Sequence, residues 1–76
     1  MNEVFLGEFR RGPANFLVYR TGRGAYRVDC RDSPNAEPSE VCRFTAGGEP
    51  VWHGAWDGDQ WCDWIEAQTR KLIGVV

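Results

Sequence analysis

Four tryptophans, Trp52, Trp56, Trp61 and Trp64, fall within thirteen residues of a 76-residue chain, and the run leads into a strongly amphipathic segment closed by Gly74. A chain of this length is near the lower limit at which one hydrophobic core suffices without disulfides, a metal or oligomerisation. Its largest side chains therefore have to build that core, and the tryptophans place it against the C-terminal third. With four phenylalanines and two tyrosines they supply most of the apolar area available. They do not assign a function, because large aromatics serve equally as core and as anchors for a partner.

The segment from Gln60 to Ile73 predicts a helix. Trp61, Cys62, Trp64, Ile65, Leu72 and Ile73 fall on about half the circumference at about 100° per residue, and Asp63, Glu66, Ala67, Arg70 and Lys71 on the other half. Asp57 or Asp59 is placed to cap it, and acids near its start with bases near its end complement the helix dipole. Glu66 stands four residues before Arg70, the favourable order for a helical ion pair. Ile65 is the centre of the apolar stripe and Trp64 lies at its edge.

Strand patterns precede the helix. From Ala25 to Arg31, Tyr26, Val28 and Cys30 alternate with Arg27, Asp29 and Arg31, so one face is dry and the other charged. Asn15 to Thr21 is also strand-like. Gly22-Arg23 between them suits a two-residue type II′ turn, which sets Tyr19 opposite Tyr26 and Leu17 opposite Val28. A first strand, Glu3 to Arg10, ends at Arg11-Gly12-Pro13. Phe5 and Phe9 share one side of it and Val4 and Leu6 the other. Asp32 to Glu40, with Pro34 and Pro38, is a long polar connection. Strands Val41 to Ala46 and Val51 to Trp56 follow. A three-residue loop Gly47-Gly48-Glu49 with a left-handed glycine puts Cys42 and Phe44 on the same face as Trp52 and Trp56. These patterns predict one α+β domain over residues 1–76: an antiparallel sheet of four to five strands, with one C-terminal amphipathic helix on one face.

A single helix covers a single sheet face, so the other face is solvated or bound. On the predicted register it carries Phe16, Val18 and Arg20 beside Arg27, Asp29 and Arg31, with Arg43 nearby. Aromatic and arginine side chains on an open sheet stack bases and hold phosphates in nucleic-acid modules. They are equally enriched where proteins meet, and an ordinary solvated face whose arginines pair with acids across strands has the same composition. A second patch is acidic: Asp57, Asp59, Asp63 and Glu66 run along the helix start and its outer side, an arrangement able to dock into a basic groove made for nucleic acid. Net charge is -2 but unevenly spread, +3 from Met1 to Arg31 and -5 from Asp32 onward. The molecule reads as bipolar.

Other chemistries find little purchase. Cys30, Cys42, Cys62 and His53 match a zinc set in composition, but no short Cys-x2-Cys knuckle pre-organises two of them. A Cys30–Cys42 disulfide and plain buried thiols are the alternatives. A cysteine with His53 is the one nucleophile-base combination available, and nothing in the sequence supplies an orienting group or oxyanion donors. No catalytic residue, metal or cofactor is assigned. No apolar run is long enough to span a membrane, and the opening residues lack the pattern of a signal peptide, so the expected location is the cytoplasm of a host cell.

The plan as a whole, paired hairpins such as Asn15 to Arg31 followed by a helix opening Asp59-Gln60-Trp61-Cys62-Asp63-Trp64, resembles the small phage-encoded anti-CRISPR inhibitors. The run of acid, Gln, apolar, two further residues and Trp is similar to one in an inhibitor of that kind, and covers six of the 76 residues. The resemblance implies a non-enzymatic protein that binds a host protein complex, a CRISPR-Cas effector subunit, and blocks it by occupancy. It carries over no individual residue. The residues themselves offer two contact surfaces for such a partner, the acids Asp57, Asp59, Asp63 and Glu66, or the arginines Arg20, Arg27, Arg31 and Arg43. Direct nucleic-acid binding through the sheet face is the second reading, with Phe16 stacking and Arg20, Arg27 and Arg31 on phosphates. A homodimer packed through open sheet faces is the third, so the chain is expected as monomer or homodimer, with no membrane partner.

Overall fold

The computed structural model describes residues 3–45 and 47–74. Strands β1 (Val4–Arg11), β2 (Ala14–Gly22), β3 (Ala25–Arg31), β4 (Ser39–Thr45) and β5 (Val51–Trp52) form one antiparallel sheet in the order β1-β2-β3-β4-β5. A 3-10 turn (Gly54–Trp56) and helix α1 (Cys62–Ile73) follow. This is the expected α+β plan, with the helix across one face.

The β3 alternation holds: Val28 and Cys30 are buried beneath α1, and Tyr26 packs beside them. On β2 the faces are reversed from expectation. Val18, not Leu17, lies opposite Val28, and Phe16 lies opposite Cys30. The left-handed residue of the hairpin is Gly24 (φ 67°) rather than Gly22, and an irregularity between Arg20 and Gly22 absorbs the extra residue. A register change of one residue exchanges the two faces of a strand. Phe16, Val18 and Arg20 therefore face the helix side, and Leu17 and Tyr19 occupy the open face. Both sets on β2 are apolar, so alternation alone did not discriminate between them.

Two further bulges adjust the faces. Between Phe5 and Gly7 the β1 register shifts, turning Leu6 as well as Phe9 toward the core and leaving Phe5 on the open face. Between Val28 and Asp29 the β3–β4 register shifts, so that Val41 and Cys42, adjacent in sequence, are both fully buried. Gly47 takes the left-handed conformation expected of that loop (φ 76°), and Cys42 shares a face with Trp52 as expected, but as its direct partner, where a three-residue loop would have set Phe44 opposite Trp52. Ala46, the expected end of β4, lies outside the described residues. The last strand is much shorter than Val51 to Trp56. His53 N–H still donates to the Val41 carbonyl at 2.9 Å, but Trp56 and Asp57 donate to the His53 and Gly54 carbonyls, drawing the backbone into a turn.

The helix begins at Cys62 rather than Gln60, because residues 57–61 are folded into tight turns. Asp59 N–H bonds the Trp56 carbonyl at 3.0 Å, and Asp59 Oδ1 accepts the Trp61 N–H at 2.8 Å. Asp59 thus closes a turn ahead of the helix, while the helix N-cap itself is Trp61 with no side-chain cap, so neither Asp57 nor Asp59 caps α1 as expected. Ile65 is fully buried at the centre of the stripe, as its position predicts. Thr69 is fully buried beside it, its hydroxyl satisfied by donating to the Ile65 carbonyl at 2.8 Å. Over the sheet, Phe9 and Phe16 stack at 5.0 Å, and Trp64 meets both edge-on at 5.3 and 5.9 Å. Trp56 adds a second edge contact to Phe16 at 5.9 Å. Contacts of this kind each contribute about 0.5–1.5 kcal/mol beyond the area they bury.

Both ends of α1 are tied to the sheet by arginines. The Arg11 guanidinium sits 3.3 Å from the Trp61 ring centroid at the start. Near the end Arg70 pairs with Glu66 at 2.8 Å, as the four-residue spacing predicts, and donates to the Gly48 carbonyl at 3.2 Å. Gly74 closes the helix, its N–H bonding the Arg70 carbonyl. No helix among the described residues is long and apolar enough to cross a membrane.

Candidate functional site

The sheet face away from α1 is organised in rows, because cross-strand partners in an antiparallel sheet share a face. One row is Phe5, Tyr19, Arg27 and Arg43, the next is Glu8, Leu17, Asp29 and Glu40, and the last is Arg10, Asn15 and Arg31. The middle row places three carboxylates between two rows bearing arginines. Which arginines are neutralised then depends on side-chain reach.

In the first row both are. Arg27 makes a two-point ion pair with Glu3, with Nη2 donating to Oε1 at 2.9 Å, while its Nε donates to Asp29 Oδ1 at 3.0 Å. It also lies over the Tyr19 ring at 4.9 Å, and Phe5 meets the same ring at 5.5 Å. The Glu3 hydrogen bonds hold the Arg27 pKa above its ordinary value. Asp29 is only 9% exposed, and its burial raises its pKa despite the opposing pull of Arg27. Arg43 is taken up by Glu40, whose carboxylate accepts from Nε at 2.8 Å and from Nη2 at 3.0 Å. That hydrogen bonding lowers the Glu40 pKa and raises that of Arg43. Leu17, buried on this face at 6% exposure, sits beneath these charged side chains.

The third row differs. Among the described residues neither Arg10 nor Arg31 forms an ion pair. They flank Asn15, whose Nδ2 donates to Glu8 Oε2 at 2.7 Å. The row opens onto a cleft of about 300 Å³ completed by the Gly12-Pro13 turn and by Ser33 and Pro34.

The sequence-predicted arginines are thus dispersed. Arg27, Arg31 and Arg43 share the open face, whereas Arg20 pairs with Tyr26 and Val4 on the helix side and is exposed there. Phe16, expected to stack a base, is 3% exposed in the core and has no access to a ligand. Arg10 and Asn15 were not singled out by the sequence. Arg10 ends the first predicted strand, just before the breaker, and only the cross-strand register aligns it with Arg31.

The acidic patch is also sorted by its contacts. Glu66 is engaged by Arg70 and Asp59 by the Trp61 N–H. Asp57 and Asp63 are exposed, and their carboxylates make no hydrogen bond or ion pair among the described residues. Asp63 stands in the first helical turn, where the dipole favours it. Tight turns from Trp56 to Trp61, held by the partly buried tryptophans at both ends, connect the two acids.

All three cysteines are free thiols. Burial pushes Cys30 up to about 11 and Cys42 up to about 12, and raises Cys62, whose Sγ donates to the Trp56 carbonyl at 3.0 Å. All three are therefore protonated at neutral pH, the unreactive form of a thiol. Among the described residues no group of three or more His, Cys, Asp and Glu side chains converges as a metal site.

No known protein family matches the chain, and no curated protein or solved structure is significantly similar to it.

Proposed function

We propose that this protein acts by occupancy, binding a host nucleic-acid-handling complex through the acid-bearing turns that lead into α1, as the anti-CRISPR resemblance implies. The observation that carries this reading is the pair Asp57 and Asp63, exposed and unengaged on a segment that the tryptophan core holds in place. Anionic groups fixed on a packed scaffold keep their arrangement on binding, which limits the ordering cost and favours fast association with a basic groove. The protonated state of the cysteines further favours binding over thiol catalysis.

Direct base stacking on the sheet is disfavoured by the burial of Phe16 and by the neutralisation of Arg27 and Arg43. The test is a tagged pull-down from bacterial lysate with nuclease added, run in parallel with an Asp57→Lys/Asp63→Lys variant. The reading expects a discrete set of proteins that survives nuclease and is lost with the variant, while the variant stays folded with a melting temperature only a few degrees lower, as loss of a helix-start acid implies. Retention of the same proteins by the variant, or loss of all of them on nuclease treatment, refutes it.

A further inference from the structure

Of all the described side chains, two present buried polar atoms with no hydrogen-bond partner, Arg31 Nε and Asn15 Oδ1, and both belong to residues that line the same cleft. An unsatisfied buried donor or acceptor costs about 1–3 kcal/mol, so two in one place call for an explanation. Arg31 and Asn15 are direct cross-strand neighbours, and Arg10 is the neighbour of Asn15 on the other side. Strands lie about 4.8 Å apart, so the two arginines stand about 10 Å apart at their Cα atoms with the amide between them.

The two nearest acids, Glu8 and Asp32, stand outside the lining of the cleft. Glu8 accepts from Asn15 Nδ2, which fixes the amide with Oδ1 turned away as the free acceptor. Asp32, next to Arg31 in sequence, lies within 3.8 Å of the Cys30 thiol. The charged residues that line the cleft are thus the two arginines, with Asn15 between them and Pro13, Ser33 and Pro34 completing the wall.

We propose that this cleft binds a small phosphate monoester. Two guanidinium groups match a group carrying about two negative charges and several acceptor oxygens, and arginine is the side chain best suited to holding it. Both orphaned atoms are closed to solvent in the free protein, so binding turns the Asn15 and Arg31 side chains toward the ligand; Asn15 Oδ1 then receives a hydroxyl donor from the ester's polyol portion, and a sugar phosphate satisfies both atoms where a bare carboxylate satisfies one. The volume, at the lower end of small-molecule sites, fits a pentose phosphate. The site is separate from the acid-bearing turns, and its success or failure leaves the reading of Asp57 and Asp63 untouched.

The experiment is an NMR titration of the intact protein with ribose 5-phosphate, following the Arg31 Nε–H and Asn15 side-chain amide resonances at constant ionic strength. Ribose, acetate and inorganic phosphate serve as controls. Saturable shifts at sub-millimolar concentration, at least tenfold weaker with inorganic phosphate and absent with ribose and acetate, are expected. Arg10→Gln, an exposed position, and Arg31→Lys, which keeps the charge but removes Nε, should each weaken binding tenfold or more. A 5′-phosphorylated oligonucleotide that binds more tightly than ribose 5-phosphate would replace the small molecule with a nucleic-acid end and overturn the assignment as stated. It is overturned equally by no response, or by equal responses to acetate and ribose 5-phosphate.

Discussion

Gly7 lies directly beneath Leu72: a Cβ built on the glycine would come within 2.9 Å of the leucine Cδ2. The two residues lie on β1 and α1, so the missing side chain leaves the room that the leucine tip occupies against the edge of the sheet.

Gly7→Ala should therefore lower stability by about 1 kcal/mol, the low end of the cost of overpacking, because the leucine methyl it meets is at the end of an exposed side chain that can turn aside. The double variant Gly7→Ala/Leu72→Ala should lose less than the sum of the two single changes, because the second removes the atom the first collides with. Urea denaturation of the four proteins measures the coupling. Strict additivity would show that the close approach does not limit the packing.

Ile65→Ala empties a fully buried position and should cost about 2–5 kcal/mol, a large share of the stability of so small a domain. Ala67→Ser, two residues on and exposed, should change stability by no more than about 0.5 kcal/mol. Thermal melts of the pair check the orientation of α1.

Arg27→Ala should destabilise by about 1–3 kcal/mol at pH 7, since it strands the nearly buried Asp29 carboxylate. Burial already raises the folded-state pKa of Asp29, and losing Arg27 removes the main opposing influence. As pH falls, Asp29 takes up its proton in the folded state before the unfolded chain does, so the deficit of the variant should shrink toward pH 4. Denaturation at both pH values tests the sign. Charge reversal at Arg27, a candidate contact residue, is by this argument a stability mutation and not a clean probe of binding.

In alkaline solution the buried thiols should govern stability. Cys30 and Cys42 ionise at about 11 and about 12 in the fold against an ordinary value of 9.0. Between pH 9 and those values the unfolded chain holds fewer protons than the folded one, so stability should fall as pH rises. Cys42→Ala should flatten that decline. At pH 8 a thiol-specific chromogenic reagent should modify Cys62, which is partly exposed, ahead of Cys30 and Cys42.

The parts legible in the sequence are those where one physical signal sufficed. The period of α1, the Glu66–Arg70 pair and the charged alternation of β3 needed only local spacing. The face of β2 was not legible, because Phe16 and Val18 compete with Leu17 and Tyr19 on equal apolar terms, and a single bulged residue decides between them. That decision carried the candidate site with it. Arg20 left the open face with Phe16, and Arg31 acquired Arg10 and Asn15 as neighbours through a register that only the three paired strands define.

Every strand pairs with its immediate neighbour in sequence. As the chain is synthesised, the β1–β4 ladder can close one hairpin at a time, with little loop entropy to overcome and rapid pairing as the result. The cover for that ladder arrives last, since Trp52, Trp56, Trp61, Trp64 and Ile65 follow all four of those strands in the chain. A nascent chain thus presents Phe16, Val18, Val28 and Phe44 to its surroundings until α1 has emerged and docked. Truncation before Trp61 should yield an aggregating sheet rather than a smaller soluble domain.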